Sequence, residues 1–170
     1  MLATRPGRRV TGDDGASAVE FALVVPILLI LVFGIINFGF LFTSQITLNT
    51  SARDAARLGV VSPVTGSPMS CSAIALAARN NAGTLGAPAS QVAVTVTGPT
   101  VGGSSISCAM AAGSTTVTGS GSSFPCTGSS ALSSPQLLVT TSTQYRALMP
   151  LVPPYSTTLN GTGKFQCEYN

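Results

Sequence analysis

Residues 21–42, FALVVPILLILVFGIINFGFLF, present no polar face at any helical spacing; Asn37 is the one strongly polar side chain among them and none ionises. A soluble helix would turn a polar side toward water every third or fourth residue, so this pattern predicts a helix surrounded by apolar material. At ~1.5 Å per residue the run measures about 33 Å, enough to cross a hydrocarbon core of about 30 Å. Pro26 removes one backbone donor and predicts a bend, which membrane helices tolerate. The next stretch, TSQITLNTSARDAARLGVV, stays helix-compatible to Leu58, with Ile46, Asn49, Ala52 or Arg53, and Ala56 recurring at spacings of three and four. One helix of about 44 residues, from about Ala16 to about Gly59 and roughly 65 Å long, is expected, its second half amphipathic.

After SPVTGSP the period changes twice. SCSAIALAARNNAG predicts a short helix with Ser70 or Ser72 as N-cap and Asn81 or Gly83 as its stop. From QVAVTVTG at 91–98 onward the pattern alternates with period two: STTVTGS is a weaker strand, and 137–148 (LLVTTSTQYRAL) the strongest, with Leu137, Val139, Thr141, Thr143 and Tyr145 on one face. A last strand, STTLNGTGKFQCEY, follows the proline-rich MPLVPP and places Leu159, Gly161, Gly163, Phe165 and Cys167 together. VGGSSISCAMAAGS and GSGSSFPCTGSSALSSP, rich in glycine and serine, read as loops. The expected fold is α+β: a long N-terminal helix, transmembrane in its first half, a short second helix and a small antiparallel sheet of about four strands. Three segments are expected: a leader at 1–15, the long helix at 16–60 with its membrane span at about 20–42, and an α+β domain at 61–170.

Composition sharpens this picture. Charged residues are 8% of the chain, against roughly 25% in soluble domains, and mean hydropathy is +0.46. Arg5, Arg8 and Arg9 precede the apolar run, and no charge follows it until Arg53. The positive-inside rule therefore puts the N-terminus in the cytoplasm and the C-terminal domain outside. All four cysteines, Cys71, Cys108, Cys126 and Cys167, lie in that outer part, where disulfides persist. Three pairings are possible; the expected one is Cys108 with Cys126 within a loop and Cys71 with Cys167 from second helix to last strand. A cleaved signal peptide would carry an apolar core of about 7–15 residues, shorter than this one.

Chemistry is scarce. The chain has no histidine, so neither a Ser-His-Asp or Cys-His arrangement nor a histidine metal site can form. Acids beyond the leader are Glu20, Asp54 and Glu168, too dispersed to pair. Cysteine spacings do not match CxxC motifs, the glycine-rich stretches lack the GK[ST] of a phosphate loop, and no basic stripe interleaves with aromatics. No catalytic residue, metal, cofactor, nucleic acid or small-molecule substrate is expected. The triplets at Asn49 and Asn160 are too short a pattern to signal glycosylation in so Ser/Thr-rich a chain. Glu20 stands apart, because a carboxylate beside an apolar run is costly at mid-bilayer, by about 2.5–3.5 kcal/mol, unless something compensates it. A cut after Gly15 would make Ala16 the first residue and Glu20 the fifth, and the new ammonium of one subunit could then neutralise Glu20 of a neighbour.

A glycine, four small or apolar residues, a glutamate, an aromatic and a long apolar run resemble the processing site of type IV pilin-like proteins. AVEFALVVP, FGIINFG and ARDAAR, together with the closing strand, MPLVPP turn and final strand, resemble the TadE-like family of the tight-adherence (Flp) pilus assembly system. The resemblance implies a membrane-anchored pseudopilin, cleaved by a prepilin peptidase between Gly15 and Ala16, with Glu20 and Phe21 serving processing and assembly. Phe21 stands where Flp-type pilins often carry tyrosine. Implied partners are that peptidase, other pilin-like subunits and pilus assembly proteins, and membrane lipid, with the chain in the inner membrane. The alternative is a single-pass anchored extracytoplasmic binding or surface protein that is never processed.

Overall fold

A computed structural model describes residues 12–61, 68–83, 87–127, 132, 134–147 and 155–167. The expected leader as far as residue 11, the turn at 62–67, the MPLVPP turn and Glu168 lie outside the described residues. The apolar run and the stretch after it form one helix, α1 (Gly12–Val61), of 50 residues with Pro26 inside it. It begins before Gly15, so the peptide bond proposed for cleavage lies in its first turns. A second helix, α2 (Cys71–Asn81), starts at Ser70, whose hydroxyl accepts from the backbone N–H of Ala73 as the N-cap.

Among the described residues five strands follow: β1 (Ala93–Val101), β2 (Ser104–Met110), β3 (Val117–Gly119), β4 (Gln136–Ala147) and β5 (Tyr155–Gln166). They form one sheet in the order β3-β2-β1-β4-β5, and every neighbouring pair is antiparallel. The expected sheet of about four strands is therefore one short, since VGGSSISCAM was read as loop. Gly102 and Gly103, at φ 58° and 85°, make a two-residue hairpin turn and return the chain as β2 beside β1.

Both helices cover one face of this sheet, α1 over β4 and β5, α2 over β1 and β2. The alternation read for β4 holds: Leu137, Val139, Thr141, Thr143 and Tyr145 are buried. Val92, Val94, Val96 and Ile74 complete the centre of the core. Small residues let the helices close on it, notably Ala52, Ala55 and Ala56 on α1 and Ala75, Ala78 and Ala82 on and just after α2. Of the residues expected to recur along α1, Ala52 and Ala56 are buried against the core, while Ile46 is exposed and Ser44, Leu48 and Ser51 are buried in its place.

The cysteine pairing is also corrected. Cys71 bonds Cys108 and Cys126 bonds Cys167, with Cα separations of 6.0 and 5.8 Å. As a residue of β2, Cys108 is buried on the helix-covered side of the sheet, within reach of the first residue of α2, rather than free in a loop beside Cys126. Cys126 follows Pro125, whose carbonyl lies against Gly98, and meets Cys167 just beyond the end of β5.

Arg79, unremarked in the sequence, ends α2 inside the protein at 6% exposure. Its guanidinium donates to the carbonyls of Val92, at 2.9 Å, and of Ala111 and Ser114. Three backbone carbonyls thus solvate the charge, and they tie the turn between β2 and β3 to α2. Replacing Arg79 by methionine strands those carbonyls and is expected to cost about 2–3 kcal/mol in urea unfolding, while lysine, with one compact head group, restores only part.

Candidate functional site

Gly15, Ala16, Glu20 and Phe21 occupy the first turns of α1, and all four are exposed; Phe21 is 71% so. Nothing lies within 4 Å of a Cβ built at Gly15. The structure therefore brings the four together on one helix end, reached by no other part of the described chain. The exposure continues: Leu23, Ile27, Leu28, Leu31 and Ile35 stand clear of the protein. An 18-residue window of this helix reaches a mean hydropathy of 2.9 with none of it buried. A helix of that length and character needs an apolar surrounding.

The domain meets α1 first at Asn37. Its backbone carbonyl accepts from the buried Tyr145 hydroxyl at 3.0 Å, while its side-chain amide donates to the carbonyl of Phe33 at 2.9 Å. Eleven residues on, the carbonyl of Leu48 accepts from the Thr141 hydroxyl at 3.0 Å. Gln45 Nε2 donates to the carbonyl of Asn160 at 2.6 Å, and Asn49 Oδ1 accepts from the backbone N–H of Thr162 at 3.2 Å. These two α1 side chains, one turn apart, satisfy backbone groups of β5, the edge strand, which would otherwise be open to pairing with another chain. The engagement of Asn49 also leaves its amide committed to the seam.

Gly161 and Gly163 let this seam close. A Cβ at Gly161 would lie 2.4 Å from the Leu48 carbonyl, and one at Gly163 2.3 Å from that of Ala52. Further along, a Cβ at Gly59 would meet Ile74 and Leu137 side chains at 2.7 Å, where α1 passes between α2 and β4. Sequence reasoning placed Gly161 and Gly163 on the right face of β5 but gave them no role; glycine at alternate positions on the buried face of a strand is the signal of a closely approaching backbone. Asn37 carried a signal too, as the lone amide in an apolar run, yet its partner Tyr145 lies 108 residues away.

Among the described residues no group of three or more His, Cys, Asp or Glu could hold a metal, and the four cysteines are all in disulfides. A cavity of about 460 Å³ is an open depression between β1 and β4, lined by Thr97, Gly98, Pro99, Gln136 and Lys164 among others.

Taken together, a helix with a bare apolar half and a half that serves as spine for a disulfide-bonded sheet defines a single-pass membrane-anchored protein. Residues 15–57, from the exposed glycine to the end of ARDAAR, match the model of a family described as TadE-like protein. The match covers most of α1 and none of the sheet. No curated protein and no solved structure matches the chain.

Proposed function

We propose that the protein is a membrane-anchored pseudopilin, a minor pilin-like subunit or assembly factor of a tight-adherence pilus or secretion system, and not an enzyme. In this reading a prepilin peptidase removes the leader between Gly15 and Ala16, and the N-terminus lies on the cytoplasmic side of the inner membrane with the disulfide domain outside. The observation that carries it is the bareness of α1 from Gly15 to Ile36 in a stretch that matches the TadE-like model. A helix whose large apolar side chains are exposed along this length is suited to lateral packing against other pilin-like helices and assembly proteins. Glu20 then finds its counter-charge in the ammonium of a neighbour's Ala16, which removes the cost of an unpaired carboxylate at the membrane.

Cleavage requires the helix to open at the Gly15 carbonyl. Glycine at 12 and 15 weakens these first turns by about 1 kcal/mol each relative to alanine, and terminal turns fray most readily. Mass spectrometry of protein purified from membranes that contain a prepilin peptidase is expected to give a mature N-terminus at Ala16. Gly15→Ala is expected to keep the leader. An intact chain beginning at Met1 in the unaltered protein would favour the unprocessed surface protein instead.

A further inference from the structure

We propose that the β4–β5 end of the domain is a lipid-headgroup contact, led by Tyr155 and Arg146, which seats the domain on the membrane and shifts the hydrocarbon-crossing part of α1 to about residues 16–33. The inference rests on the reading of α1 as a membrane span. It starts from the direction of β4, which runs back along α1 toward the membrane: Thr141 is bonded at Leu48 and Tyr145 at Asn37. Two residues further, Ala147 pairs with Tyr155. At ~3.4 Å per strand residue this end lies about 7 Å beyond Asn37, level with about Phe33.

Were the apolar run immersed through Phe42, this end of the sheet would sit about 13 Å inside hydrocarbon. With it would go Arg146, exposed on the far face of β4, and Ser156 and Thr158 on the edge strand. A charged group and an open strand edge are not tolerated against lipid tails. The hydrocarbon boundary therefore falls near Phe33. About 18 residues, roughly 27 Å and within the usual range for a span, separate this boundary from Ala16, and Glu20, whose charge the ammonium of a neighbour's Ala16 neutralises in the proposed assembly, lies about 6 Å inside the opposite boundary.

Residue chemistry at this end matches the assignment. Tyr155 is 62% exposed, an aromatic ring with a polar tip of the kind that occupies the headgroup level, and Arg146 offers a cation to lipid phosphates.

The chain contains no tryptophan, so single replacements report cleanly. Full-length Tyr155→Trp, Leu28→Trp and Phe165→Trp variants would be reconstituted in phosphatidylcholine–phosphatidylglycerol vesicles carrying dibromo labels at the 6,7 or 11,12 acyl positions. Retention of both disulfides certifies the fold of each. The tryptophan at 155 is expected to be blue-shifted and quenched at least about twofold more by the shallow label than by the deep one, at 28 the deep label is expected to dominate, and at 165 neither quenches. If the reporter at 155 behaves like that at 165, the seating is wrong while the span stands; if the deep label dominates at 155, the end is immersed and the proposed boundary is wrong. A reporter at 28 that neither label quenches overturns the span itself, and the seating with it.

Discussion

Gly163→Val is expected to separate α1 from the sheet and leave little folded domain. The Cβ would lie 2.3 Å from the Ala52 oxygen, 2.5 Å from its carbonyl carbon and 2.6 Å from the Arg53 Cα, all of them helix backbone that no rotamer change can move. To reach ordinary contact the helix must retreat by about 1 Å or more, and the bonds Gln45 to Asn160, Asn49 to Thr162 and Thr141 to Leu48 stretch together. Loss of that seam, with β5 reopened as an edge, is expected to cost more than about 4 kcal/mol, against a total stability of about 5–15 kcal/mol for a typical domain. Gly39→Ala is the matched control. It sits in the same helix with nothing within 4 Å, and it exchanges a poor helix former for a good one, so unchanged or slightly higher stability is expected. Urea unfolding in detergent micelles, read from the sheet signal, compares the two.

That contrast shows what could be read from sequence and what could not. The apolar run, the N-cap at Ser70 and the alternation of β4 each depend on neighbours a few residues away, and local periodicity reports them faithfully. β2 was missed although Gly102–Gly103 is a hairpin signal, because the glycine and serine content of the stretch reads as loop and outweighed the short alternation of Ser105 to Cys108. The periodicity of α1 was right at Ala52 and Ala56 and wrong at Ile46: the glycines of β5 bring the helix backbone close to the sheet, and Ser44 and Ser51 are buried there while Ile46 is exposed. Of the candidate site, the stretch from Gly15 to Phe21 is wholly local, and its place at the exposed start of α1 follows from the apolar run alone. Where the domain docks on the helix depends on the Tyr145–Asn37 bond across 108 residues, which no local pattern encodes.

The disulfide pairing depends on the same long-range order, and it carries the second large effect. Simultaneous replacement of Cys126 and Cys167 by serine is expected to destabilise the domain by about 4 kcal/mol, the loop-closure term for the 41-residue separation. The loss is concentrated where the fold has least else to hold it. The segment before Cys126 caps α2, with the carbonyls of Ser123 and Gly121 accepting from the N–H groups of Cys71 and Ser72 at 2.8 Å, and Cys167 closes the free end of edge strand β5. Releasing that link frees both at once, so α2 should loosen with β5, seen as faster amide exchange at the start of the helix as well as in the strand. The pairing itself can be decided without a variant, because the four methionines divide the cysteines unequally. Cyanogen bromide cleaves after Met69, Met110 and Met149, and gives fragments holding Cys71 with Cys108, Cys126 alone, and Cys167 alone. With Cys71–Cys108 and Cys126–Cys167 bonded, the first fragment runs free under non-reducing conditions and the other two migrate joined. Either alternative pairing holds all three fragments in one covalent unit, so a single gel lane distinguishes the structure from both.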